Sequence, residues 1–182
     1  MKILKKILLG IAILIALILI VALFVDKEYT AESEIIINKP KHEVFEYIKH
    51  IKNQNEYSKW NKMDPNSKME YTGTDGTVGF IAAWDSENKN VGKGEQEITK
   101  IVEGERVDME LRFKKPFEST CTAYVTTDSI APNETKVKWG FVGATPYPFN
   151  IVCLFMNVKK MISEDMMIGL TNMKGILEKQ NY

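Results

Sequence analysis

Arginine is nearly missing from this 182-residue chain: Arg106 and Arg112 are the only two. Guanidinium forks clamp phosphates and carboxylates at two points, so such clamps are scarce here. Histidine is as rare. His42 and His50 lie on or beside one short helical stretch, and no HExxH, nucleophile elbow or Ser-His-Asp order accompanies them. They read as surface residues of a helix rather than as general bases. Cysteine is limited to Cys121 and Cys153, with no CxxC and no Cys/His cluster. That excludes a metal site of ordinary ligand spacing. The pair reads as free thiols buried as small apolar residues, with a disulfide open only in an oxidising compartment. There is no internal repeat and no low-complexity tract.

Acid is missing from the first 25 residues, which hold Lys2, Lys5 and Lys6. The formal charge of the whole chain is zero, yet from Asp26 onward 21 basic residues face 24 acidic ones. An acidic balance does not neutralise phosphates, so nucleic acid is excluded as a partner class. The length suits one domain with an appendage.

The appendage is residues 1–28. From Ile7 to Val25 no charge interrupts the run, and nineteen residues in a helix reach about 28 Å, enough to cross a bilayer core. The run exceeds the apolar core of a signal peptide, and no A-x-A site follows it. The expectation is an uncleaved, single-pass anchor, with secretion after cleavage as the alternative. Lysines before the run and Asp26 and Glu28 after it place the N-terminus in the cytoplasm and the rest on the far side.

Residues 29–182 form the second unit. Tyr29–Ile37 reads as a strand. Asn38 and Pro40 then start a helix carrying Val44, Phe45, Ile48 and Ile51. A brief helix or turn follows, and Asp64-Pro65 stops it, because proline pushes the residue before it towards extended geometry. Between Ser67 and Gly143 six stretches alternate at period two, separated by turns at Asp75-Gly76, Glu87–Asn90, Gly104 and Pro132-Asn133. Alternation marks an antiparallel sheet with one protected face. From about Pro148 to Gln180 one long helical pattern carries Val152, Phe155, Met156, Ile162, Met166, Leu170, Met173 and Leu177 as an apolar stripe. Gly169 and Gly175 weaken or bend it. The expected class is α+β: a curved antiparallel sheet wrapped around a long C-terminal helix, two short helices closing one end.

The stretches IIINKPKHEVFEYI, YSKWNKMDPNSKMEYTG, VGKGEQEIT, LRFKKPFESTCTAYV and FNIVCLFMNVKKMISEDMMIGLTNMKGILE, in that order, resemble the START-like, helix-grip superfamily also called SRPBCC. Within it the chain looks like the polyketide cyclase/dehydrase and lipid transport branch, over about residues 29–180. The resemblance implies a cavity between sheet and helix. It does not name an activity, because this fold hosts allergens, lipid carriers, quinone binders and cyclases.

Strand parity nominates the cavity residues. Phe80 and Trp84 share one face, as do Met109, Leu111 and Phe113, and also Trp139 and Phe141. Gln96 is the polar group expected among them. Met156, Met166 and Leu170 come from the helix stripe, where methionine adapts to apolar ligands. In WNKMDPN, Trp60 and Met63 are expected to form an apolar lip and Asp64-Pro65-Asn66 a turn. Arg112, Asp108 and Glu110 should face outward, and Glu164 and Asp165 should be solvated. The KPFES stretch reads as a tight strand connection. GATPYPFN reads as a stiff lead-in to the long helix that also shapes the cavity mouth. No catalytic residue, metal or cofactor is nominated.

The expected partner is a hydrophobic small molecule or lipid, held without a catalytic apparatus, with the membrane as second partner. A polyketide cyclase or aromatase is one alternative. A scaffold or stress-related envelope protein is the other, favoured by a core with no cavity above about 300 Å³.

Overall fold

All six alternating stretches between Ser67 and Gly143 fold as strands in the computed structural model, which describes residues 2–179. They are β2 (Lys68–Thr72), β3 (Ile81–Asp85), β4 (Lys93–Val102), β5 (Arg106–Lys115), β6 (Ser119–Ala131) and β7 (Glu134–Ala144). With β1 (Glu28–Ile37) they make one seven-stranded antiparallel sheet in the order β1-β7-β6-β5-β4-β3-β2. Consecutive strands pair as hairpins, and β1 returns to pair with β7 (Ala31 opposite Phe141, Ile35 opposite Val137). Register fixes the faces. Ile98, Val107, Met109, Ala123, Val125 and Val137 are buried inward, while Arg112 on the outer face pairs with Glu95, Glu97 and Glu110.

Three short helices follow β1, with a 3-10 turn at Ile51–Asn53 after the first. Helix α2 (Lys41–Lys49) starts after Pro40, carries Glu43 in its first turn and Lys49 in its last, and buries Val44, Phe45 and Ile48. Those charges suit the helix dipole at each end. It packs against β6 and β7. Helices α3 (Gln54–Tyr57) and α4 (Lys59–Met63) are single turns, broken at Ser58, where the backbone is extended.

The C-terminal helix α5 runs Val158–Lys179. It is shorter than its apolar stripe predicts. Asn157 begins it by accepting the Lys160 N–H at 3.0 Å, an N-cap that satisfies an otherwise orphaned donor. Val152, Phe155 and Met156 therefore fall outside it, in and just after a 3-10 turn at Phe149–Leu154. Gln180, where the pattern ends, lies outside the described residues. Polar contacts pin α5 to β1 along its length: Ser33 Oγ donates to Ser163 O (2.7 Å), Lys174 Nζ to Ile36 O (2.8 Å), and the Asn38 N–H to Glu178 Oε1 (2.7 Å). Helix α5 is continuous through Gly169. Gly169 is buried, and a Cβ there would meet the Trp139 ring at 2.9 Å, so this glycine lets helix and sheet approach.

Helix α1 (Lys2–Leu23) stands apart from the sheet. The segment Ile3–Leu23 is long and apolar enough to cross a membrane or to be a signal sequence. Its large side chains are exposed along its length, and among residues 3–23 only Ala22 is buried. At its end α1 meets the 3-10 turn. The fully buried Asn150 donates through Nδ2 to Ala22 O (2.7 Å) and Val25 O (2.8 Å).

Candidate ligand cavity

Where the inward face of a sheet carries small residues, a covering helix cannot fill the space. Here Ala82 on β3 and Ala123 on β6 hold inward positions between much larger neighbours. Between them, β4, β5 and α5 enclose a cavity of about 590 Å³. Its wall is mostly apolar: Trp84, Leu111, Phe113, Trp139, Phe141, Ile162 and Met166, with Met69 and Tyr71 from the edge strand. Gly94 shapes one side. A Cβ there would sit 2.6 Å from the Trp84 ring, so only glycine lets that indole lie on the sheet. Trp84 is held in place edge-on to Phe113 (5.7 Å between centroids) and by donating Nε1–H to Val91 O (3.2 Å).

Polar groups in this wall are few. Gln54 and Gln96 are both buried, and both amides point at one atom, the Met109 Sδ, at 3.9 and 2.8 Å. A thioether is a weak acceptor. Gln54 and Gln96, which line the wall, therefore form a place where a ligand hydroxyl or carbonyl would gain a better partner than it displaces. Ser58, also buried, lines the wall nearby.

The mouth is polar. Asn55, Asn61, Lys62, Asp64, Pro65 and Asn90 ring it. Trp60 on α4 crosses from mouth to floor, packing edge-on against Trp139 (5.9 Å), which in turn meets Tyr57 edge-on (5.8 Å). Burial pushes the Tyr57 phenol up, so it stays neutral. Helix α4 is tied to α5 by the ion pair Lys59–Asp165, so Asp165 is paired and partly buried rather than simply solvated. Asp64 builds its own turn: it accepts from Ser86 Oγ (2.5 Å) and from the Asn66 N–H (3.1 Å). The Ser86 hydroxyl, against some desolvation, holds this carboxyl below its ordinary range, so it is a fixed anion.

Of the thirteen residues nominated from sequence, the structure brings eight to the cavity wall: Trp60, Trp84, Gln96, Leu111, Phe113, Trp139, Phe141 and Met166. Five stand elsewhere. Phe80, Met109 and Leu170 are sealed in the core, with Phe80 stacked on Tyr71 (6.0 Å). Met63 ends α4 and is exposed, outside the wall. Met156 precedes α5 and is exposed. The Gly143–Asn150 stretch does not shape the mouth; it runs to the foot of α1. Cys121 is buried and Cys153 half-buried, both free, and burial pushes the Cys121 thiol up.

Sequence reasoning missed Ile51, Gln54, Ser58, Met69, Tyr71 and Ile162, all in the wall. Met69 and Tyr71 were findable, since they alternate with Lys68 and Glu70. Gln54 and Ser58 were not, because one-turn helices show no period.

A sheet gripping a helix around an apolar chamber defines the class: this chain has the START-like, helix-grip fold. No protein-family model and no curated protein matches it. Solved structures do. Norcoclaurine synthase from Thalictrum flavum superposes with a TM-score of 0.62 at 8% identity, over 85% of this chain and 89% of its own. Ara h 8.0201 gives 0.56 at 14% identity, over 84% and 99%. DynU16, a protein of the dynemicin biosynthetic locus, gives 0.57 at 11% identity over 82% of this chain and 47% of its own. At such identities the likeness establishes the fold alone.

Proposed function

We propose that this protein is a membrane-anchored domain that holds a hydrophobic small molecule or lipid between its sheet and α5. The 590 Å³ apolar cavity carries the reading. It exceeds the size at which a scaffold with a solid core would be favoured, and it falls in the range of small-molecule sites. Binding is sequestration. Apolar ligand surface leaves lipid or water for the wall, each methylene removed from water contributing about 0.8 kcal/mol. One hydrogen-bonding group on the ligand would meet Gln54 and Gln96.

The anchor is residues 1–28, and residues 29–182 are the binding domain. Retention of α1 is supported by Asn150. Its buried amide relies on two carbonyls at the end of α1, and removal up to Val25 would strip a buried donor of both partners. The lysines before α1 favour a cytoplasmic N-terminus, with the domain on the other side.

The test is native mass spectrometry of the full chain released from detergent, with extraction and identification of what co-purifies. A stoichiometric apolar molecule is expected, and its loss in Ala123→Leu, which narrows the chamber without adding a polar group. A protein that carries nothing, and binds no apolar probe in its chamber, would refute the reading. A cyclase has less support. Its neighbours by fold include an enzyme solved with dopamine and hydroxybenzaldehyde, but Asp64, the acid at this mouth, is committed to Ser86 and Asn66.

A further inference from the structure

Exposed apolar side chains outside α1 are concentrated at one end of the sheet. Register defines that end. Glu28, which begins β1 just after α1, lies opposite Ala144, the last residue of β7. Val142 lies opposite Thr122 near the start of β6, and Ser119 opposite Phe113 near the end of β5. The β5–β6 hairpin and the segment after β7 therefore share the end from which α1 leaves. On the hairpin, Phe117 is 82% exposed; after β7, Phe149 is 67% and Phe155 85% exposed, with Leu154 and Met156 beside them. Soluble surfaces seldom leave so many large apolar groups together. At the opposite end the exposed residues of this kind, Val78, Ile130 and Ile36, come from three separate segments, and none is more than 59% exposed.

This segment cannot drift from α1. Asn150 ties it to Ala22 O and Val25 O, and the Thr145 N–H donates to Lys27 O at 2.7 Å. If α1 crosses a bilayer, its last turn lies at the surface, and the tie holds Phe149–Met156 at that depth. Pro65 and Asn90 of the cavity mouth belong to loops at this same end, since Lys68 lies opposite Asp85 and Asp85 opposite Lys93.

We infer that Phe117 and the Phe149–Met156 segment lie in the headgroup layer of the bilayer that α1 crosses, holding the domain with part of its cavity mouth turned to the lipid. This rests on the reading of α1 as a retained anchor. The continuity of the apolar surface with the end of α1 selects lipid over a protein partner. A short apolar turn of this kind buries its side chains at the boundary of headgroup and acyl chain without spanning.

The experiment uses the full chain in phosphatidylcholine vesicles, in a Cys121→Ala, Cys153→Ser background. Phe155→Cys, Phe117→Cys and, as control, Ile130→Cys each carry an environment-sensitive fluorophore. Residues at interfacial depth should lose about half their emission when a shallow doxyl-phosphatidylcholine quencher is included. Positions 155 and 117 are expected to quench and 130 not. Alkaline carbonate extraction of the same vesicles reads the anchor separately. Quenching at 155 and 117 in a protein that resists carbonate supports the inference; carbonate release refutes the anchor and the inference with it. An integral protein whose 155 label is unquenched overturns the inference and leaves the anchor standing. A 155 label that is blue-shifted but indifferent to the quencher means a protein surface covers the patch, and also overturns it.

Discussion

Trp60 and Asp64 sit four residues apart at the mouth of the cavity and hold different positions. Trp60 places an indole between mouth and floor against Trp139, so Trp60→Ala is expected to weaken ligand retention about tenfold, or about 1.4 kcal/mol. Asp64→Ala should leave retention unchanged and lower stability slightly by freeing the Ser86 hydroxyl; a ligand dissociation assay with a melting curve for each variant separates them. Activity lost only in Asp64→Ala would restore a chemical role to that acid. On the outer face, Lys114 and then Arg112 hold the Glu95 carboxyl below its ordinary value. The sign follows: this contribution is present above the unfolded pKa of about 4.3 and is lost as pH falls through the lower folded value. Arg112→Gln leaves Glu95, Glu97 and Glu110 facing one another. It should therefore lower the melting temperature at pH 7 by several degrees, and the deficit should shrink towards pH 3.5 as the carboxylates protonate. A deficit independent of pH would mean that Arg112 acts through packing.

At the scale of elements, α5 offers a matched pair of glycines. Gly175 has open space around its Cβ position, so Gly175→Ala should stabilise by about 0.5–1 kcal/mol through helix propensity alone. Gly169 gains the same propensity, but its Cβ would press on Trp139 at 2.9 Å. Overpacking costs about 1–3 kcal/mol, so Gly169→Ala should be destabilising on balance and should also alter ligand binding through Trp139. Urea melts of both variants decide it. Stabilisation by both would mean that the Trp139 ring shifts freely. The start of α5 also shows what a periodic pattern hides. Val152, Phe155 and Met156 extend the stripe by spacing, yet Asn157 caps the helix after them, and their side chains stay exposed.

At the scale of the whole molecule, α1, the segment after β7 and two loops of the cavity mouth share one end of the sheet. A full chain expressed in its own membrane is expected to resist carbonate and to keep its first residues on N-terminal sequencing. A mature chain beginning near Asp26 would show instead that α1 is a signal sequence, and Asn150 would then have lost two hydrogen bonds. The seven strands, the first helix after β1 and the long C-terminal helix were legible because period-two and period-3.6 apolar patterns follow directly from strand and helix geometry. The cavity wall was legible only where a strand set parity, as for Trp84, Leu111 and Phe113.

The sequence alone determined which residues alternate, which repeat every three or four, and where a charge-free run long enough for a bilayer begins. These are local properties of the backbone, and each survives without tertiary contacts. Tertiary structure decided the rest. It sealed Phe80, Met109 and Leu170 in the core while leaving Met166, on the same stripe as Leu170, at the wall. It brought Gln54 and Gln96 to one sulfur from separate elements. It also carried Asn150 back to α1, 128 positions away in the chain. The reason is that an empty space is set by what several elements fail to fill together, here two inward alanines beneath the covering helix. No single element carries that information.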